Sequence, residues 1–269
     1  MAESLNARAR EVNRRAHASN AIRTMDRIVA RKTTKPVSAW TRHADAIRRP
    51  LPALAVVMPL ALLYELGSLI ASTRHPGESL LAPMMLRAWF EPVSIYGRLL
   101  PAVMLAASLI AWHLVRRDAT QLNARTLGLM LAESLGWAGV IFAMSWVWFE
   151  PAGRWGVPDL GLVRLALGAG VYEELLFRLL GLTALHWFLS DLVGCGKMPA
   201  IWLSAGVSGI AFAFYHQLGV AELQWAYFVF HAGAGIGLGM LFAWRGFGIT
   251  VLSHTIYNIM IAGYGSGLG

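Results

Sequence analysis

Seven long apolar stretches set the pattern of this chain, at 51–72, 99–115, 127–148, 160–189, 199–218, 223–244 and 247–263. As helices rising 1.5 Å per residue, they reach across, or nearly across, the ~30 Å of hydrocarbon in a bilayer. No stretch alternates apolar and polar positions over the length of a transmembrane strand. The expected fold is therefore all-α, a polytopic integral membrane helical bundle of about seven transmembrane helices. The segment 73–98 interrupts the series. Its Leu80–Phe90 run is apolar but carries Pro83 and Arg87, which predicts an interfacial or re-entrant helix; a crossing there would make eight and invert every later span. The links 116–126, 190–198 and 245–246 carry Arg116, Arg117, Arg125, Lys197 and Arg245, which assigns them, with the N-terminal arm, to the cytoplasmic side. No internal repeat of the kind that marks many transporters is visible.

Composition removes the soluble alternatives. Hydrophobic residues make up 57% and charged residues 14% of the chain, against roughly 25% charged in soluble domains, and the mean hydropathy is +0.52. A net charge of +8 would suggest a nucleic-acid partner if it were spread over a surface. Instead residues 1–49 hold twelve Lys and Arg against four Asp and Glu, and the remainder is balanced at eleven of each. The excess is an arm, and no nucleic-acid partner is expected. In that arm Leu5, Val12, Ile22, Met25 and Val29 fall near one helical face, with Arg8, Arg15, Arg23 and Arg27 elsewhere. Such a segment lies on anionic lipid or fixes topology. The expected organisation is a basic arm over 1–49, N-terminal transmembrane helices over 50–150 and a motif-bearing core over 151–269. The single cysteine, Cys195, excludes an internal disulfide and any CxxC site.

Ionisable side chains inside apolar helices cost at least ~2.5–3.5 kcal/mol at the bilayer centre and mark functional sites by default. Here they gather in the last hundred residues. The run GVYEELLFRLL places Glu173 and Glu174 about 100° apart on a helix, so the two are not expected to share a partner. Glu174 and Arg178 stand at i,i+4 and can pair, which leaves Glu173 free to act as a base. One span later GIAFAFYHQLG sets Phe212 and His216 one turn apart, and TVLSHTIYNIM sets His254 and Asn258 on one face. An imidazole and a carboxamide together offer hydrogen bonds to a reacting oxygen.

These residues carry a resemblance. Glu173-Glu174-Leu-Leu-Phe-Arg178 resembles the EExxxR motif, Phe212-Ala-Phe-Tyr-His216 the FxxxH motif and His254-Thr-Ile-Tyr-Asn258 the HxxxN motif of the CPBP intramembrane protease family, which includes the type II CAAX prenyl endopeptidases and abortive-infection relatives. The stretch Phe228-Val-Phe-His231-Ala-Gly-Ala-Gly-Ile-Gly-Leu-Gly239, followed by Arg245-Gly-Phe-Gly, also resembles bacterial members that process C-terminal sorting signals, with His231 where many of those carry Arg. The resemblance implies an intramembrane endopeptidase in which Glu173 activates water with help from His216, Arg178 holds Glu174, and His254 and Asn258 stabilise the oxyanion. It implies a protein or peptide substrate, lipidated or C-terminally anchored, reached from membrane lipid in a bacterial or archaeal cytoplasmic membrane. A metal-free glutamate mechanism with no cofactor is favoured; the alternative is zinc on Glu173, His216 and His254, although HExxH is absent. The competing functions are a proton-coupled transporter or channel using the same groups as a relay, and a non-enzymatic scaffold. Glu65, Glu133 and His113 in the earlier spans are expected to pair with arginines or line a wet cavity, and His231 to border the site.

Overall fold

Long apolar runs do form long helices. The computed structural model describes residues 39–72, 81–90, 100–116, 122–149 and 154–265. The chain divides into two units, Met1–His43 and Ala44–Gly269. Of the first, only residues 39–43 are described, and the amphipathic part of the basic arm lies outside the described residues. The helices are α1 (Ala39–Ile47), α2 (Pro50–Ser72), α3 (Leu81–Phe90), α4 (Leu100–Arg116), α5 (Ala124–Trp148), α6 (Leu160–Leu192), α7 (Lys197–Tyr215), α8 (Trp225–Arg245) and α9 (Phe247–Gly265). No strand occurs among the described residues.

Five of these helices, α2, α5, α6, α7 and α8, are long and apolar enough to cross a membrane, fewer than the seven expected. The two exceptions have different causes. Helix α4 has 17 residues, about 25 Å of rise, and falls just short. Helix α9 is long enough but carries Thr250, Ser253, His254, Thr255 and Asn258, and it tolerates them because neighbours surround it: every residue from Phe247 to Thr255 is buried. It packs against α2, α5, α6 and α8, and so forms the centre of the bundle. Helix α3 has ten residues, too few to cross. Its Ala82 and Leu86 pack into one core cluster with Val57 and Tyr64 of α2, Leu105 of α4, Val171 and Tyr172 of α6, and Val251 of α9.

Outward faces are as apolar as inward ones. Leu62, Leu66, Leu69 and Ile70 on α2, Leu131, Leu135 and Val140 on α5, and Leu203, Val207 and Ile210 on α7 are all exposed. Contiguous apolar surface on that scale suits lipid rather than water. Apolar burial alone cannot hold helices together in such a solvent, so close packing and polar contacts matter more. Arg245 of α8 makes a bidentate pair with Glu133 of α5 at 2.5 and 2.6 Å, and Arg48 donates from Nε to the Trp244 carbonyl at 2.5 Å. Glu65 of α2 is engaged by a phenol: Tyr172 of α6 donates to its Oε1.

Three glycines permit helix crossings beside the polar core. A Cβ on Gly209 would lie 2.6 Å from the backbone nitrogen of Ile236, one on Gly235 would lie 2.8 Å from the Cα of Gly209, and one on Gly170 would lie 2.9 Å from the Cα of Thr255. Gly233 and Gly237, on other faces of α8, meet nothing within 4 Å. The alternate glycines of α8 thus separate into a packing pair, Gly235 and Gly239, and two open positions. Gly170→Ala is expected to destabilise the protein by about 1–3 kcal/mol, because the Thr255 backbone as well as its side chain must move. Gly233→Ala should be neutral or slightly stabilising. Unfolding midpoints of the two variants in one detergent check the contrast.

Candidate active site

The site is built where α6 changes its winding. Helix α6 begins as a regular α-helix over Leu160–Gly168, capped by Asp159, whose Oδ1 accepts from Gly161 N at 2.6 Å. It then passes into π-helical turns over Ala169–Glu173 and Leu175–Leu182, with Glu174 between them. Wider i→i+5 turns leave poorly served carbonyls, and nearby hydroxyls take them up. Ser208 of α7 donates to the Phe177 carbonyl at 2.9 Å, and Thr183 to that of Arg178 at 3.1 Å. Such π-bulges occur frequently at functional sites.

Glu174 and Arg178 are fully buried, and Glu173 and His254 are 4% exposed. Burial of this degree demands partners. Arg178 donates from Nη1 to Glu174 Oε1 at 2.9 Å and from Nη2 to the Gly235 carbonyl of α8 at 3.1 Å. Its guanidinium lies 4.5 Å over the ring of Phe212, a cation–π contact in a dry setting. The arginine thus ties α6 to both α7 and α8.

Glu173 is treated differently. Its Oε1 accepts from the Tyr215 hydroxyl at 3.2 Å. Its Oε2 is buried and has no hydrogen-bond partner among the described residues. That oxygen lies 3.8 Å from His216 Nε2 and 3.8 Å from His254 Nε2, longer than a hydrogen bond and within the span of one bridging water. Each imidazole is oriented through its other nitrogen. His216 Nδ1 lies 2.9 Å from the Phe212 carbonyl, so it carries the proton and Nε2 presents a lone pair. His254 Nδ1 lies 2.7 Å from Glu174 Oε1.

The expectation that the two glutamates have no common partner fails here. His254 faces both, because its two ring nitrogens point in different directions and the π-winding alters the angle between successive side chains. Glu173, His216, His254 and Asn258 line one cavity of about 70 Å³, together with His231 and Tyr257. That volume accommodates more than one water. Phe212, Phe230, Ala234 and Leu238 supply much of the apolar wall.

A family model described as Type II CAAX prenyl endopeptidase Rce1-like matches residues 155–260. This part of the chain is similar to that family. All seven defining residues of the three motifs fall inside the matched segment, which covers α6, α7, α8 and most of α9. No curated protein and no solved structure matches the chain. That similarity, in a chain with five helices long and apolar enough to cross a membrane, implies a membrane protease acting on a protein or peptide substrate. Among the described residues, no group of three or more His, Cys, Asp or Glu side chains is arranged to hold a metal ion.

One side chain at the site, Tyr215, escaped the motif reading, and the contact made by a second, His231, was not legible although the residue was expected to border the site. Tyr215 lies inside the FxxxH run but between its defining positions. His231 stacks on His216, ring centroids 4.1 Å apart and 20° between planes, and donates from Nδ1 to the Tyr227 carbonyl at 2.7 Å. Each depends on a contact between separate elements, so spacing along one helix gives no signal for it. Arg178→Ala is expected to cost about 3–5 kcal/mol, since it leaves Glu174 buried beside His254 without its cation. The yield of folded protein after membrane extraction, compared with that of Arg178→Lys, measures this; the lysine should recover only part, because its one nitrogen does not span Glu174 and the Gly235 carbonyl as the two guanidinium nitrogens do.

Proposed function

We propose that the protein is an intramembrane endopeptidase of glutamic type, in which Glu173 deprotonates the water that attacks the scissile carbonyl. The observation that carries this reading is the unpaired Glu173 Oε2, 3.8 Å from two imidazole Nε2 atoms. A water hydrogen-bonded to that oxygen and to the His216 lone pair would be held with one proton on the base. As its oxygen bonds to the carbonyl carbon, the proton passes to Glu173. The oxyanion is stabilised by the Asn258 amide and by His254, whose ring Glu174 orients through Nδ1. The C–N bond then breaks as Glu173 returns the proton to the leaving nitrogen. Arg178 touches no reacting atom; it neutralises Glu174 and so fixes His254. The mechanism requires no metal.

The substrate of this reading is a lipidated or C-terminally anchored protein segment entering from the bilayer of a bacterial or archaeal cytoplasmic membrane, with the basic arm on the cytoplasmic side. The apolar cavity wall and the exposed apolar faces of the bundle support delivery from lipid. Quenched-fluorescence peptides ending in a Cys-Ala-Ala-Xaa box, one farnesylated and one not, test it with the protein in proteoliposomes. Glu173→Gln should lose at least about 100-fold in kcat while its thermal unfolding stays close to wild type. Full activity in that variant would end the assignment. Extended chelation should leave the wild type active; activity lost on chelation and restored by zinc alone would instead support the metal-dependent alternative.

A further inference from the structure

We infer that Tyr215 is a positioning residue for Glu173, and that through it the first turn of α3 sets which carboxylate oxygen faces the two imidazoles. The inference rests on the proposed function. Two hydrogen bonds meet at the Tyr215 oxygen: the backbone N–H of Ala82 donates to it at 2.9 Å, and it lies 3.2 Å from Glu173 Oε1. A backbone N–H can only donate, so the phenol must accept there, and its single proton is directed at Glu173. The direction of the relay is fixed by chemistry. Ala82 is the second residue of α3, and its N–H is among the first four of the helix, which have no intrahelical acceptor. Ala82 is fully buried, so that donor needs a protein partner, and Tyr215 supplies it.

The consequence falls on Glu173. A carboxylate whose terminal torsion is free presents either oxygen to the cavity. With Oε1 pinned by the phenol, Oε2 is the oxygen left toward His216 and His254. The pin is itself held. The Tyr215 ring packs edge-on against Phe177 at 5.3 Å and against His216 at 5.1 Å between centroids, so it cannot readily follow a rotating carboxylate. Helix α3 lies outside the segment 155–260 that matches the protease family. The N-terminal half of the bundle thereby gains a part in orienting the base.

Tyr215→Phe keeps the ring and removes only the hydroxyl. With the farnesylated and unlipidated Cys-Ala-Ala-Xaa peptides as probes, it is expected to lower kcat by about tenfold to a hundredfold, the range for losing a hydrogen bond to a charged group, with KM within about twofold of wild type. A general loosening of the fold would raise KM as well. Ala82→Pro deletes the N–H at a helix position that tolerates proline. It should lower kcat in the wild-type background and have little further effect in the Tyr215→Phe background. Equal effects in both backgrounds, or wild-type kcat in Tyr215→Phe, would overturn the inference. Glu173→Gln run in parallel separates the two claims: if it is inactive and Tyr215→Phe is unimpaired, only the positioning role falls. Cleavage of neither probe by the wild type removes the proposed function and this inference with it.

Discussion

Two adjacent carboxylates buried among apolar helices impose the constraint on which the rest of this structure depends. Neither can be ionised there without compensation, and one cation cannot serve both. The solution is asymmetric. Glu174 is held on one oxygen, Oε1, by both Arg178 and His254 and becomes part of the scaffold; its Oε2, buried against the helices, has no hydrogen-bond partner among the described residues. Glu173 receives a single phenol hydrogen bond on one oxygen and keeps the other unpaired toward two imidazoles. The same asymmetry explains why Arg178 reaches on to the Gly235 carbonyl and lies against Phe212: a guanidinium buried this deeply needs more than one partner.

Bringing four helices close enough for these contacts is the task of small residues. Gly170 lets α6 press against Thr255 of α9, the residue after His254, and Gly209 and Gly235 let α7 and α8 touch through their backbones. The π-turns of α6 then rotate its polar side chains relative to a regular helix and leave carbonyls that Ser208 and Thr183 occupy. Helix α9 can carry a histidine and an asparagine because it is the most enclosed helix of the bundle. Packing, winding and polarity are in this sense one arrangement.

Much of this was legible from residues close together in the chain. Apolar runs reveal helices because both share a length scale, and Glu174 with Arg178, or His254 with Asn258, can be related by spacing because each pair lies on one element. Hydropathy alone understates α9, which carries its polar residues because neighbours surround it. Contacts between distant residues left no trace in local patterns. Tyr215 and Glu173 are 42 residues apart, and Ala82 and Tyr215 are 133 apart. Nor does composition signal π-winding, so the double engagement of His254 was invisible to an argument based on regular helical angles.

The central claim is that Glu173 keeps one oxygen free so as to hold a water between itself and two imidazoles. An experimental density map of the wild-type protein in lipid, at a resolution that shows ordered solvent and with anomalous data collected at the zinc edge, tests this directly. The account predicts a water within hydrogen-bonding distance of Glu173 Oε2 and of His216 Nε2, and no anomalous peak there. A zinc peak bound by Glu173, His216 and His254, or a Glu173 carboxylate turned away from both histidines, would contradict it.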